Sequence, residues 1–453
     1  MADLLLIWLL LLAALTWLAV TRRQPGGALT LAYFLGLSII HVPGVLAYIG
    51  PISLFIGRAP ATRIGFELTL MGMATFVGGA IVGRQFYGRI ASKKSMPSPE
   101  QGNAFIDMGL RALGIGFVCY FVVLPIAAKV PSLSAVVSPI GTLVVLGFWL
   151  RLHGAALANA QSRTLATLAL LPILPLSTLA TSGFLGYGIN WLLSVITFLF
   201  VITRRRLIFY VSAPLVIYLG LSFFVTYMSE RKDIRELVWY EDAGMMERLD
   251  RISGLVTNFQ LLDLEEPAQL VRLDDRLNQN FLVGAGVMHH EAGMVDLAYG
   301  GTVPVWALIP RALWPDKPVV GGGLDVVSAF TGLRFGKNTS VGAGQVLEFY
   351  INFGKPGVLI GFAMLGFALM WLDCKIMSAF AEANMRRLII CAMPGLVLLQ
   401  PGGNLLEISV SLIAATIISR LIAATQFFRL PSRAVAMSSG GARPRGVRVI
   451  RRQ

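Results

Sequence analysis

Charged side chains are scarce: Asp, Glu, Lys and Arg make up 14% of 453 residues, where soluble domains carry about a quarter. Hydrophobic residues reach 56% and mean hydropathy is +0.71. So little charge cannot coat a water-soluble chain of this length, which excludes an ordinary globular protein. Cysteine is nearly missing too. Cys119, Cys374 and Cys391 all fall in or beside apolar runs, so no disulfide framework staples an external domain. Alternating ten-residue apolar segments are missing as well, which argues against a membrane barrel. No nucleotide-binding motif is evident.

What is present is a series of apolar runs of about 17 to 22 residues, the length of a helix crossing a bilayer. They read as Leu4 to Val20, then 29–50, 64–83, 108–128, 133–150, 164–182, 187–203, 207–228, 357–373, 388–403 and 405–425. Backbone polar groups in lipid must be satisfied internally, so the expected fold is an all-α polytopic membrane protein of eleven helices. Pro43, Pro125, Pro172 and Pro394 fall inside runs, which membrane helices tolerate. The first run has Asp3 before it and Arg22-Arg23 after it, the pattern of an uncleaved anchor rather than a cleaved signal.

Basic residues set the expected orientation. Alternate short connections hold Arg22, Arg23, Arg84, Arg89, Lys93, Lys94, Arg151, Arg163, Arg204 to Arg206, Lys375, Arg386 and Arg387; the tail adds seven arginines between Arg429 and Arg452. The opposite short loops hold Arg58, Arg63 and Lys129. The positive-inside bias then puts the N-terminus in the periplasm and the C-terminus in the cytoplasm of a bacterial inner membrane. The net charge of +14 is thereby topological, facing anionic lipid, and no nucleic-acid partner is expected. The chain divides into spans 1–228, a large periplasmic loop 229–356, spans 357–428 and a basic, unstructured tail 429–453. The loop carries 17 of the 24 acidic residues and 12 basic ones, with a surface helix expected from Glu230 to Ile252 and a second from Pro267 to Met288. A loop this long beside a membrane is usually functional.

Three clusters in the loop could carry chemistry. Arg272 and Arg276 stand at i, i+4 on one helix face; they read either as a solvated face paired with Asp274 and Asp275 or as a clamp on a diphosphate, which the guanidinium fork suits. Ile309 to Pro318 presents Arg311 and Lys317 on backbone stiffened by Pro310, Pro315 and Pro318. From Gly336 to Gly357, glycines let backbone N–H groups approach an anion, and Glu348 falls about nine residues before the ninth span, at the expected aqueous mouth of the bundle. Glu348 and His290, from His289-His290-Glu291, are the candidate bases, against structural and capping readings. No further His or Cys accompanies the pair, so no metal site is expected. Ionisable groups in spans are costly and informative: Glu67, Asn404 and Glu407 fall at the level of the loop, lining a cavity or reaching to headgroups, and Arg111, Asp373 and Arg420 read as anchors.

Gly300-Gly301-Thr302, Leu308-Ile309-Pro310-Arg311-Ala312-Leu313-Trp314-Pro315-Asp316-Lys317-Pro318 and Glu348-Phe349-Tyr350-Ile351-Asn352-Phe353-Gly354 together resemble the oligosaccharide repeat-unit polymerases, relatives of O-antigen and exopolysaccharide polymerases. The motifs span about 60 residues; the span count and the large loop agree over most of the chain. The resemblance implies a GT-C-like membrane glycosyltransferase without cofactor that moves a glycan from one undecaprenyl-diphosphate carrier to the repeat unit on another. Arg272, Arg276 and Arg311, with Lys317 and Arg334, would hold the diphosphate, and Glu348 or His290 the acceptor hydroxyl. A chain-length regulator and a flippase are the implied partners. The rival readings are a glycan ligase with the same donor chemistry and a polysaccharide or lipid transporter.

Overall fold

The computed structural model describes residues 1–21, 26–46, 48–49, 56–90, 101–127, 129, 133–203, 205–239, 244–297, 314, 323–336 and 341–428. Regular structure among these residues is helical, without a strand. Nine described helices are long and apolar enough to cross a membrane: Ala2–Val20, Ala28–Leu46, Ala59–Gly88, Gln101–Ala127, Ser138–Leu157, Gln161–Ser182, Leu207–Val238, Gly344–Ala381 and Leu405–Ala424. The chain is therefore a polytopic helical membrane protein. The other two of the eleven expected runs are helices too, but shorter: Gly186–Ile202 has 17 residues and Met385–Val397 has 13. The second stops early because its apolar run outlasts its helix. Leu398 to Gly403 turns instead, and the Pro401 carbonyl accepts from the Gln345 backbone N–H at 3.1 Å.

Helix 59–90 organises the bundle through glycines. A Cβ on Gly79 would lie 2.0 Å from the Ala363 carbonyl oxygen, and one on Gly366 2.0 Å from that of Phe76. Only hydrogen fits at those points, so the backbones of helices 59–90 and 355–381 touch directly, as small residues allow in lipid. Large rings close the space around them: Tyr33 stacks on Phe76 at 5.2 Å, and Trp8 meets Phe34 and Phe66 at 5.0 and 5.5 Å.

Gly344–Ala381 is two helices. At Gly354, φ 65 and ψ −162 break the spiral, two residues before Pro356. The arms fold back on one another: a Cβ on Gly361 would lie 2.5 Å from the Phe349 ring, and one on Gly357 2.7 Å from the Phe349 carbonyl oxygen. In a straight helix, residues 349 and 361 stand about 18 Å apart. Residues 355–381 form the span expected from 357, and 344–353 is a short arm lying alongside it.

The segment 229–356 shares the bundle's core. The expected helix from 267 to 288 is split into Pro267–Leu277 and Gln279–Glu291 at Asn278 (φ −119, ψ 64), whose side chain accepts from the Phe281 N–H. Helix 279–291 then lies against helix 59–90: a Cβ on Gly284 would lie 1.7 Å from the Ala61 carbonyl oxygen, and one on Gly65 1.9 Å from that of Asn280. Asn280 is fully buried and clasps His41: its Oδ1 accepts from His41 Nδ1 (2.5 Å) and its Nδ2 donates to the His41 carbonyl (2.7 Å). The expected surface helix from Glu230 is instead the end of Leu207–Trp239, followed by Met245–Thr257.

Asp373 is not an anchor. It is buried, and its carboxylate accepts from the backbone N–H groups of Leu29 (2.9 Å) and Thr30 (3.0 Å) and from Thr30 Oγ1 (2.7 Å). One span thus caps the start of another, satisfying donors that a helix N-terminus leaves open.

Candidate functional site

Where helix 28–46 ends and helix 59–90 begins, at what we term the loop end, a cleft of roughly 190 Å³ is lined by Arg58, Asp274, Asp275, Arg276, Gln279 and Gly342, among others. Arg58 enters from the turn before helix 59–90 and bonds Asp274 (2.9 Å) and Asp275 (2.8 Å) while its guanidinium lies 5.0 Å from the Phe281 ring centre. Asp274 also accepts from Asn278 Nδ2 at 2.7 Å. Burial pushes the Asp274 carboxyl above the usual range, against the lowering effect of its bonds to Asn278 and Arg58. Burial and the nearby Arg231 charge pull the Arg276 guanidinium below its ordinary value. Gln279 Nε2 donates to the carbonyls of Gly342 (3.0 Å) and Ala343 (2.6 Å), which ties this cleft to the start of the 344–353 arm.

That arm carries a buried polar stripe. Gln345, Glu348 and Asn352 recur at i, i+3 and i+7, one helical face, and are 3%, 4% and 9% exposed. Gln345 is fixed at both ends, accepting from Tyr33 Oη at 2.5 Å and donating to the Gln400 carbonyl at 2.9 Å. Asn352 Nδ2 donates to the Glu348 carbonyl at 2.7 Å. The Glu348 carboxylate itself has no hydrogen bond or ion pair among the described residues. Its position along the chain predicts an aqueous mouth; the fold-back at Gly354 places it inside the bundle instead, because residues preceding the span lie beside it rather than beyond it. A buried carboxylate without a partner can take a hydrogen bond or a proton from a bound hydroxyl.

The other candidates distribute unevenly. His290 Nδ1 meets Tyr350 Oη at 3.1 Å, two residues from Glu348 and so on a different face of the arm; His289 packs against Gly332. Of the two arginines on helix 267–277, Arg276 lines the cleft while Arg272 stands half-buried outside it. Arg334 is exposed beyond Leu324–Thr331, outside the cleft. Glu67 pairs with Arg63 at 3.0 Å, both part-exposed. Asn404 is the N-cap of Leu405–Ala424, accepting from the Glu407 N–H at 2.7 Å, and Glu407 accepts from Tyr187 Oη at 3.2 Å. Arg311 and Lys317, with most of the Pro-Arg…Trp-Pro element, lie outside the described residues. Among those described, no three His, Cys, Asp or Glu side chains gather as metal ligands would.

Sequence reasoning missed Arg58 as a site residue. A signal existed: on the side of the membrane nearly free of Lys and Arg, each basic residue departs from the bias and asks for a reason. For Gln345 and Tyr33, neutral groups in the loop and in an apolar run, no comparable signal existed.

No family model, curated protein or solved structure matches the chain.

Proposed function

We propose that the protein is a membrane glycosyltransferase that polymerises repeat units carried on a lipid diphosphate. The observation that supports this reading best is Glu348, a buried carboxylate without a partner among the described residues, six residues along the chain from Gly342, which lines a cleft bearing Arg58 and Arg276. In this reading the donor's diphosphate docks toward the guanidiniums of the cleft, and the acceptor hydroxyl reaches Glu348. The hydroxyl oxygen attacks the anomeric carbon, the bond to the diphosphate oxygen breaks, and the proton passes to Glu348. The charge left on the diphosphate is held by Arg276, with Arg58 poised by its aspartates; stabilising a developing anion is the largest lever such a site has. The N-terminus and the loop end then face the periplasm of the bacterial inner membrane.

A second reading has its own observation. Helices broken inside a bundle, as at Gly354, are a device of transporters. One experiment separates the two. Purified protein in liposomes is given a defined undecaprenyl-diphosphate oligosaccharide. A product ladder from the wild type that disappears in a folded Glu348→Gln variant is expected. An unchanged ladder in that variant removes Glu348 from the chemistry. No ladder, with the oligosaccharide moved across the bilayer, overturns the glycosyltransferase reading.

A further inference from the structure

Helix 207–239 carries three hydroxyls on one face, Tyr218, Ser222 and Thr226, at i, i+4 and i+8 in an otherwise apolar stretch. All three are occupied by an extended segment, 258–266, running back along the helix. The Gln260 N–H donates to Thr226 Oγ1 (3.1 Å), the Leu262 N–H to Ser222 Oγ (2.9 Å), and Tyr218 Oη to the Leu262 carbonyl (3.0 Å). Leu262 is buried with Val225, Leu270, Leu273 and Leu277, with Ile39 packed against them. The tip beyond it turns back on itself: the Asp263 N–H donates to Gln269 Oε1 and the Glu265 N–H to Asp263 Oδ1. Its outer side mixes large apolar groups, Leu261 and Leu264 at 56% and 60% exposure, with the exposed carboxylates of Asp263, Glu265 and Glu266.

That mixture fixes where the tip can sit. Three carboxylates facing hydrocarbon are prohibitively costly, while Leu261 and Leu264 facing bulk water gain nothing. Chain with apolar and charged groups side by side belongs in the headgroup layer. The tip is held at the level of Tyr218 and Ser222. The lipid-facing stretch of the helix agrees: apolar side chains are open from Leu207 to Leu219, and from residue 221 onward the surface is largely covered by protein. Thirteen residues rise about 20 Å, whereas the hydrocarbon of a bilayer is about 30 Å thick. Tilt only shortens that span further.

We propose that segment 258–266 is a headgroup-level hook that pulls the lipid surface at the loop end down to Tyr218, thinning the bilayer beside helix 207–239 to about two thirds of its usual hydrocarbon depth. The partner of this surface is the lipid itself, and the inference holds whichever activity the protein has. It is tested by spin labels placed singly along the helix from residue 208 to residue 228, in a background with Cys119, Cys374 and Cys391 replaced, in lipid bilayers. Oxygen collides most with labels at the centre of the hydrocarbon and a soluble nickel chelate with those in water. The expected oxygen maximum is at Ala213, with Leu264→Cys as open to an impermeant maleimide as a loop residue. A maximum near Tyr218, the centre of the full apolar run 207–228, or a Leu264→Cys that the maleimide cannot reach, overturns the proposal. Hydrogen exchange of the unmodified chain in nanodiscs tests the same point without any substitution. Amides of Leu261 and Leu264 that exchange within seconds are in headgroup water, as expected; amides that stay protected are in hydrocarbon, which overturns the proposal.

Discussion

Replacing Asp373 by alanine removes one acceptor from three donors at once: the N–H groups of Leu29 and Thr30 and the Thr30 hydroxyl. None of the three has water to turn to, since Asp373 and Thr30 are 1% and 0% exposed. Hydrogen bonds to a charged partner contribute about 1.5–3 kcal/mol each, and losing a helix N-cap costs about 0.5–2 kcal/mol. These are overlapping descriptions of one site, so the expected loss for Asp373→Ala is about 3–5 kcal/mol rather than their sum. Asp373→Asn keeps one acceptor oxygen and turns an NH2 group toward donors, so it recovers less than half of that. Reversible unfolding of the purified protein in mixed micelles, titrated with denaturing detergent, reads both numbers. A loss below about 1 kcal/mol for alanine, or an asparagine variant as stable as wild type, would refute the reasoning, because a cross-span cap must be felt when its charge is gone.

Arg58→Ala leaves Asp274, whose side chain is wholly buried, without its cation, a change that costs about 3–5 kcal/mol at neutral pH. Burial already raises the Asp274 carboxyl, and a folded-state value above the unfolded one favours the fold below the unfolded pKa and is lost as pH rises. The Arg58→Ala defect should therefore shrink between pH 7 and pH 4 in a thermal-shift series; a defect constant with pH counts against the ion pair as its cause. Gly284→Ala, whose methyl would meet the Ala61 carbonyl at 1.7 Å, should push helix 279–291 off helix 59–90 and lower the melting temperature sharply. Gly254→Ala, where nothing lies within 4 Å, should raise stability by about 0.5–1 kcal/mol; equal behaviour of the two variants would show that contact, not propensity, was misjudged. Arg311→Ala should abolish polymer at unchanged abundance in the membrane, as judged by product gels beside an immunoblot; a parallel fall in both makes Arg311 structural.

Much of the architecture is legible in the sequence because lipid imposes a single rule. Every apolar run from Leu4 onward carries a helix among the described residues, and the ninth, expected from 357, is formed by residues 355–381. What hydropathy does not encode is where a helix bends or ends while its side chains stay apolar. Gly354, just before an apolar run, and Pro401-Gly402-Gly403 at the close of another, decide those points through backbone geometry. The same blind spot hides the site. Glu348 stands out by its type and surroundings, but its depth follows from the fold-back and not from its distance along the chain. Arg272 and Arg276 share a helical face in the sequence, yet a cleft resolves finer angles than that spacing does. Asp373 looks like a terminal charge because the donors it serves lie 344 residues away.

The glycine contacts of helix 59–90 also have a history in time. The carbonyls that fill its groove at Gly65 and Gly79 belong to Asn280 and Ala363, the latter roughly 280 residues downstream, and translation proceeds at about 5–20 residues per second. For about 15–60 s the nascent helix lies in the membrane with bare backbone along one side, able to pair with any small-residue helix that drifts past. These two neighbours arrive late, so this helix is the place where a membrane chaperone, or a quality-control protease, would find the unfinished protein.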